Sequence, residues 1–260
     1  MSEQPGKPSG APTLGDWLAL APFGLTLSSG FFGFFAHAGV VQALAERGLR
    51  PAQVSGSSAG ALIGASWAAG LSPPAIAERL LTLDKADFWD PFPGAGLIRG
   101  KRFERLLEHW LPVQRFEDCR IPLALSVYDV FARRTRVLTT GRLARAIRAS
   151  CAVPLMFHPV WIGGRPYLDG GVRDRPGLEG MDQSRVLYHH LASRSPWRAT
   201  DGAHTIIPKR PGLIALILDD LPRAGPDALD RGVEAYHLAL ALTRDALNRP
   251  APAHVLRVGA

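Results

Sequence analysis

Cysteine is scarce: only Cys119 and Cys151 occur among 260 residues. They stand far apart in apolar segments, with no CxxC pair and no histidine at zinc spacing. That excludes a disulfide framework or a structural zinc site and predicts buried, reduced thiols of the cytosolic kind. Lysine is equally thin, at 4 of the 30 basic residues, and the 23 acidic residues leave a net charge of +7. The excess is therefore arginine, scattered rather than gathered into one run. It permits peripheral contact with an anionic membrane. Without zinc-finger spacing, an RNP-like aromatic motif or basic-region heptads, no nucleic-acid partner is expected.

Residues 1–14 carry no basic segment followed by an apolar one, so no secretory signal is expected, and a flexible N-terminal tail is expected there. Trp17 to Ala45 lacks Asp, Glu, Lys and Arg and is long enough to span a bilayer. Pro22, Ser28, Ser29, Gly30, Gly33 and Gly39 interrupt it, so a buried strand, turn and helix fit better. No H-E-x-x-H, EF-hand loop or strand-linked dinucleotide fingerprint is present. Near Gly94 to Lys101 a phosphate loop fails, because Ala95 takes the first glycine position and Arg102 the Ser/Thr position. Neither a metal nor a cofactor is expected.

What is present is a globular chain, 47% hydrophobic, whose 27 glycines and 22 prolines stay below the roughly 25–30% of low-complexity sequences. Phe23 to Ser29 reads as a strand, Ala36 to Arg47 as a helix, Gln53 to Ser55 as a second strand and Gly60 to Gly70 as a second helix. The repeated order of strand, Gly/Ser turn and helix predicts an α/β fold of three layers, α/β/α, with a mostly parallel central sheet and its site at the C-terminal strand ends. Further helices are expected over 73–83, 101–110, 141–150 and 227–248, with strands over 121–130, 134–139, 185–189 and 213–218 and near Trp161. Arg142, Arg145 and Arg148 recur every third residue, giving either a solvated face or a face for anionic lipid.

Gly56-Ser57-Ser58-Ala59-Gly60 fits G-x-S-x-G between a strand and a helix. Such a turn thrusts one hydroxyl, here Ser58, into a cleft, and small neighbours at Gly56 and Gly60 let strand and helix close up. A serine needs a base. His37 lies in a helix, while His189 and His190 are strand neighbours that point to opposite faces, so they do not serve one site together. Asp169, ending an apparent strand in Tyr167-Leu168-Asp169-Gly170-Gly171, is the stronger candidate.

These motifs, with Ala36-His37-Ala38-Gly39-Val40 and Ala149-Ser150-Cys151-Ala152-Val153-Pro154, make the chain resemble the patatin-like phospholipases from about Leu25 to Gly177. The resemblance implies a patatin-like acyl hydrolase domain over 15–260. It further implies an ester of a lipid as substrate, Ser58 as nucleophile and Asp169 as its base, working in the cytoplasm or at the inner face of a membrane. It places the oxyanion loop at Ser29, Gly30 and Phe31. Here the sequence departs from the family: one of three glycines survives, and the Arg or Lys that follows in the family is missing. A loop of different shape is expected, since phenylalanine does not freely replace a glycine of positive φ. That departure leaves a second reading open, a catalytically weak protein that binds lipid or a protein partner through the same cleft. Phe31, Phe32, Phe34 and Phe35 are either an apolar acyl wall or core.

Overall fold

The computed structural model describes residues 11–192 and 207–259. Its centre is a nine-stranded sheet. Five parallel pairings join β3 (Leu123–Asp129), β2 (Gln53–Ser57), β1 (Gly24–Leu27), β7 (Val186–His190), β8 (Leu213–Leu218) and β9 (Val255–Val258), in that spatial order. β4 (Arg134–Leu138) and the hairpin β5 (Val160–Ile162) and β6 (Arg165–Asp169) add antiparallel pairings at the β3 side. Apolar residues fill both faces of β8, where Leu213 to Leu218 are all buried, as expected of a parallel strand with no wet side.

The helices are α1 (Leu14–Ala19), α2 (Phe34–Glu46), α3 (Ala59–Ala68), α4 (Pro73–Leu81), α5 (Lys85–Phe88), α6 (Lys101–Trp110), α7 (Leu143–Ser150) and α8 (Asp230–Asn248). The sheet's two faces are clothed differently. Leu25, Leu27, Val54, Leu125 and Leu187 pack under the apolar helices α2, α3 and α8 in the main core. Thr26, Ser55, Ser57, Ser126 and Tyr188 turn the other way and are buried. Thr26 and Ser55 share a 2.9 Å hydrogen bond there. Part of that face is covered by the segment 174–183: Asp174 accepts the Ser126 hydroxyl, and Met181 and Leu178 pack on Val186 and Tyr188. Most groups of this polar layer find partners, Tyr188 bonding His190, while the buried Ser57 hydroxyl has none among the described residues. No helix among the described residues is long and apolar enough to cross a membrane, in keeping with the buried strand, turn and helix expected over 17–45.

Three sequence expectations change. The N-terminal tail does not extend to residue 14: Thr13 forms a capping box with Asp16 at the start of α1, and Leu14 is fully buried. Residues 1–10 lie outside the described residues. The arginine stripe is not one face with one role. Arg142 precedes α7 and pairs with Glu108, Arg145 reaches the Trp161 carbonyl, and Arg148 is buried at 2.5 Å from Glu104. Three-residue spacing leaves a 60° drift per step around a helix, and here it carries Arg148 into the core. Finally, α1, α5 and β9 are too short for their periodicity to stand out, and composition gave no sign of them. Both thiols are free and half-buried.

Candidate active site

Ser58 stands where β2 turns into α3, with φ 53° and ψ −118°. A residue with a side chain holds such a backbone only when its surroundings impose it. The surroundings here are close backbone: a Cβ on Gly56 would lie 2.7 Å from Gly60, and one on Gly60 would lie 2.0 Å from the Leu27 carbonyl oxygen. Strand and helix thus touch through glycine, which fixes the turn that presents the Ser58 hydroxyl.

Strand register brings Asp169 to it. β2 runs along one edge of β3 until Ser57 opposes Ser126, and β4 fills the other edge. β6 takes up the first edge from the next residue, with Asp169 opposite Val127. Asp169 therefore continues the line that β2 leaves, and its Oδ2 accepts a 2.6 Å hydrogen bond from Ser58 Oγ. Its Oδ1 accepts the Gly171 N–H at 2.7 Å. Asp169 is 5% exposed and Ser58 8%, so the pair is shielded from bulk water.

Beneath the turn lies a chain of hydrogen bonds that sequence reasoning did not find. Ser58 N–H donates to Ser150 Oγ at 2.9 Å, and Ser150 Oγ donates to the Ser126 carbonyl at 2.7 Å. Cys151 Sγ donates to the Ser58 carbonyl at 3.2 Å. Burial, followed by the negative charge of Asp169, pushes the Cys151 thiol well above its ordinary value, so it stays a protonated donor. Ser150 and Cys151 were visible only as members of a motif without a role. The turn at Asp174-Arg175-Pro176-Gly177 also gains one: Asp174 caps the N–H groups of Gly177, Leu178 and Glu179.

The loop before α2 faces the same place. Ser28 N–H donates to the His189 carbonyl, and Ser29 N–H to the Arg175 carbonyl. The N–H groups of Gly30 and Phe31 have no partner among the described residues. Phe32 adopts φ 54°, the left-handed conformation that glycine would take without cost. Phe31, which stands at a glycine position of the family's loop, does not itself take a positive φ; the left-handed residue is its neighbour Phe32, at the family's variable position.

The histidines are elsewhere. His37 Nε2 donates to the Ser28 carbonyl at 2.8 Å, leaving its Nδ1 to accept from His189 Nδ1 at 2.8 Å. Burial holds His37 down to about 4 and His189 well below its ordinary value, so both are neutral. His190, on the opposite face as the strand alternation required, bonds Tyr188 Oη at 2.8 Å and is likewise lowered to about 4, chiefly by burial. The Ser58 hydroxyl bonds to the carboxylate instead.

An open pocket begins at Gly30, Ser58 and Ala59 and is otherwise almost wholly apolar. Phe31, Phe32 and Phe34 line it. Phe35 does not: it is 1% exposed and packs on Gly232 of α8, so of the four phenylalanines this one belongs to the core. Most of the remaining wall comes from Leu62, Leu80, Phe88, Phe103, Leu106, Trp110 and their neighbours on α3 to α6, with Val153, Met156 and Phe157 after α7 adding to it. Those residues gave no sequence signal, because apolar positions at helical spacing look the same whether they face a core or a cavity.

Comparison with known proteins agrees with this geometry. The chain is 33% identical over 153 residues to an uncharacterized NTE family protein of Mycobacterium tuberculosis, covering 58% of this chain and 42% of that one. It is 29% identical over 192 residues to the neuropathy target esterase sws of Drosophila persimilis, covering 67% of this chain but 13% of the much longer esterase. The chain thus spans less than half the length of either relative. Among solved structures, VipD of Legionella pneumophila superposes with a TM-score of 0.62 at 15% identity, over 87% of this chain and 66% of VipD, a likeness of fold. The family model for patatin-like phospholipases matches residues 25–182, a stretch that holds the loop before α2, the Ser58 turn and the Asp169 strand end together. The chain belongs to the patatin-like phospholipase family.

Proposed function

We propose that this protein hydrolyses carboxylic esters of lipids through Ser58 and Asp169. One observation carries the reading: a serine on a strained turn donates a 2.6 Å hydrogen bond to a buried carboxylate at the mouth of an apolar pocket. Ser58 Oγ attacks the ester carbonyl carbon as its proton passes to Asp169 Oδ2. The tetrahedral oxyanion faces the free N–H groups of Gly30 and Phe31 and the N-terminal end of α3. Collapse breaks the carbon–oxygen bond to the alcohol, which leaves with the proton from Asp169. Water then attacks the acyl-enzyme, gives its proton to Asp169, and the proton returns to Ser58 Oγ as the carboxylic acid departs. General-base help of this kind is worth about 10²–10⁴-fold, and each oxyanion donor about 10²–10³-fold.

A pocket with this lining takes an acyl chain, and each buried methylene contributes about 0.8 kcal/mol. The reading is tested by turnover of short and long p-nitrophenyl acyl esters by the wild type, Ser58→Ala and Asp169→Ala. Loss in both variants supports it; wild-type turnover no faster than that of Ser58→Ala contradicts it.

A second reading rests on Phe32. A bulky residue at φ 54° in the loop suits a protein that binds acyl chains with little turnover. Saturable binding of a fatty acid or lysolipid, with no turnover above Ser58→Ala on any ester, would favour it.

A further inference from the structure

The wall of the pocket has an outer side. Residues 91–98 and 153–158 lie against each other: the N–H groups of Leu97 and Ile98 donate to the Met156 carbonyl at 3.0 and 2.8 Å, and Ile98 bridges to Phe157. Met156 and Phe157 turn inward and line the pocket. Phe92, Leu97 and Leu155 turn outward and are 48%, 72% and 79% exposed. Leu155 holds φ 66° to do so, a conformation costly for a leucine, and still gives its side chain to water. Phe31, which also lines the pocket, is 38% exposed.

Cations flank this rim. The Arg99 guanidinium lies 4.7 Å over the Phe92 ring, and Lys101, Arg102 and Arg105 are exposed on the adjoining helix α6. None of the four is in an ion pair among the described residues. The nearby acids are engaged: Asp90 is buried and accepts three backbone N–H groups at the start of α6, Glu104 pairs with Arg148, and Asp84 and Asp87 form the capping box of α5.

We propose that the rim formed by Phe92, Leu97 and Leu155 docks on an anionic lipid bilayer, with its leucines entering the acyl region and Arg99 and the α6 cations meeting the headgroups. Exposed apolar prongs beside unpaired cations are complementary to such a surface, and neither element alone would be as selective. The rim is continuous with the pocket, so a lipid leaving the bilayer between the leucines meets Met156 and Phe157 next. Only that last step rests on the proposed hydrolase reading; docking itself needs no turnover.

The experiment compares the wild type with the double variant Leu97→Gln, Leu155→Asn by co-sedimentation with vesicles of phosphatidylglycerol and phosphatidylcholine, and of phosphatidylcholine alone. Asparagine tolerates positive φ, so the variant removes the prong without disturbing the turn. The wild type is expected to favour the anionic vesicles and to release them as salt rises. The variant should bind at least about tenfold more weakly, while its turnover of a soluble short-chain ester matches the wild type. Should the double variant lose secondary structure, Leu97→Gln alone replaces it, with a smaller loss expected. Equal binding of wild type and variant, equal wild-type binding to both vesicle types, or binding to neither would overturn the proposal. An absence of ester turnover in the wild type would instead count against the hydrolase reading and leave the vesicle result standing.

Discussion

Asp169 holds Ser58 with one carboxylate oxygen, Oδ2 at 2.6 Å, while Gly171 N–H fixes the other at 2.7 Å. The carboxylate is therefore oriented before any substrate arrives, and in the proposed mechanism this holds in place the group that takes the proton. Asp169→Asn keeps the shape and removes the base. The expected outcome is a fall in kcat of about 10²–10⁴ on a soluble ester, with KM changed less than about twofold. Steady-state kinetics decide it; a variant that keeps most of its kcat would assign the base to another group.

Gly60 has no room for a methyl group. Its Cβ would sit 2.0 Å from the Leu27 carbonyl oxygen and 2.4 Å from the carbon behind it, both backbone atoms in the middle of the core. Gly60→Ala should destabilise the fold by about 3 kcal/mol or more, beyond ordinary overpacking, because neither β1 nor α3 can give way. Urea unfolding reads this directly, and an unchanged midpoint would mean the turn is looser than described.

Leu106 on α6 lines the pocket. A larger side chain there should shorten the space available to an acyl chain without reaching Ser58. For Leu106→Trp, kcat/KM on a twelve-carbon ester is expected to fall at least about tenfold while a four-carbon ester changes less than about twofold. A parallel fall in both would place the acyl chain elsewhere.

Three buried neutral histidines make stability depend on pH in a defined window. His37 and His190 take up a proton only near 4, and His189 well below its ordinary value, all chiefly because of burial. In the unfolded chain each protonates near 6.5. Between these limits the unfolded state binds more protons, so stability is full above about pH 6.5 and falls as pH drops towards 4, by up to about 1.4 kcal/mol per unit for each histidine. Carboxylates held down by hydrogen bonds and ion pairs, such as Glu46 and Asp129, lose their share only lower in pH. Melting temperature measured from pH 7 to pH 5 should drop, and His190→Phe should flatten that slope. An unchanged slope in the variant would contradict the account.

Much of this was legible in the sequence and part was not, for physical reasons. The Ser58 turn could be read because close strand–helix contact demands glycine at positions 56 and 60, and that demand leaves a pattern in the letters. Asp169 could be placed at a strand end, but its meeting with Ser58 depends on β6 taking over the edge of β3 where β2 stops, a register that no local pattern encodes. The separation of Phe35 from Phe31, Phe32 and Phe34 depends on Gly232, far away in the sequence. Arg148 looked like its neighbours Arg142 and Arg145, and only the packing of α7 on α6 gave it Glu104 as a buried partner.

The central claim is that Ser58 is the nucleophile and that Asp169 makes it one. An alkyl fluorophosphonate tests it without assuming a substrate: Oγ attacks phosphorus, fluoride leaves, and the serine carries a stable phosphonyl mass. Peptide mass spectrometry of the treated wild type should find that mass on Ser58 alone, with labelling at least about 10²-fold slower in Asp169→Asn and none at that position in Ser58→Ala. Label on another serine, or equal rates in wild type and Asp169→Asn, would contradict the account.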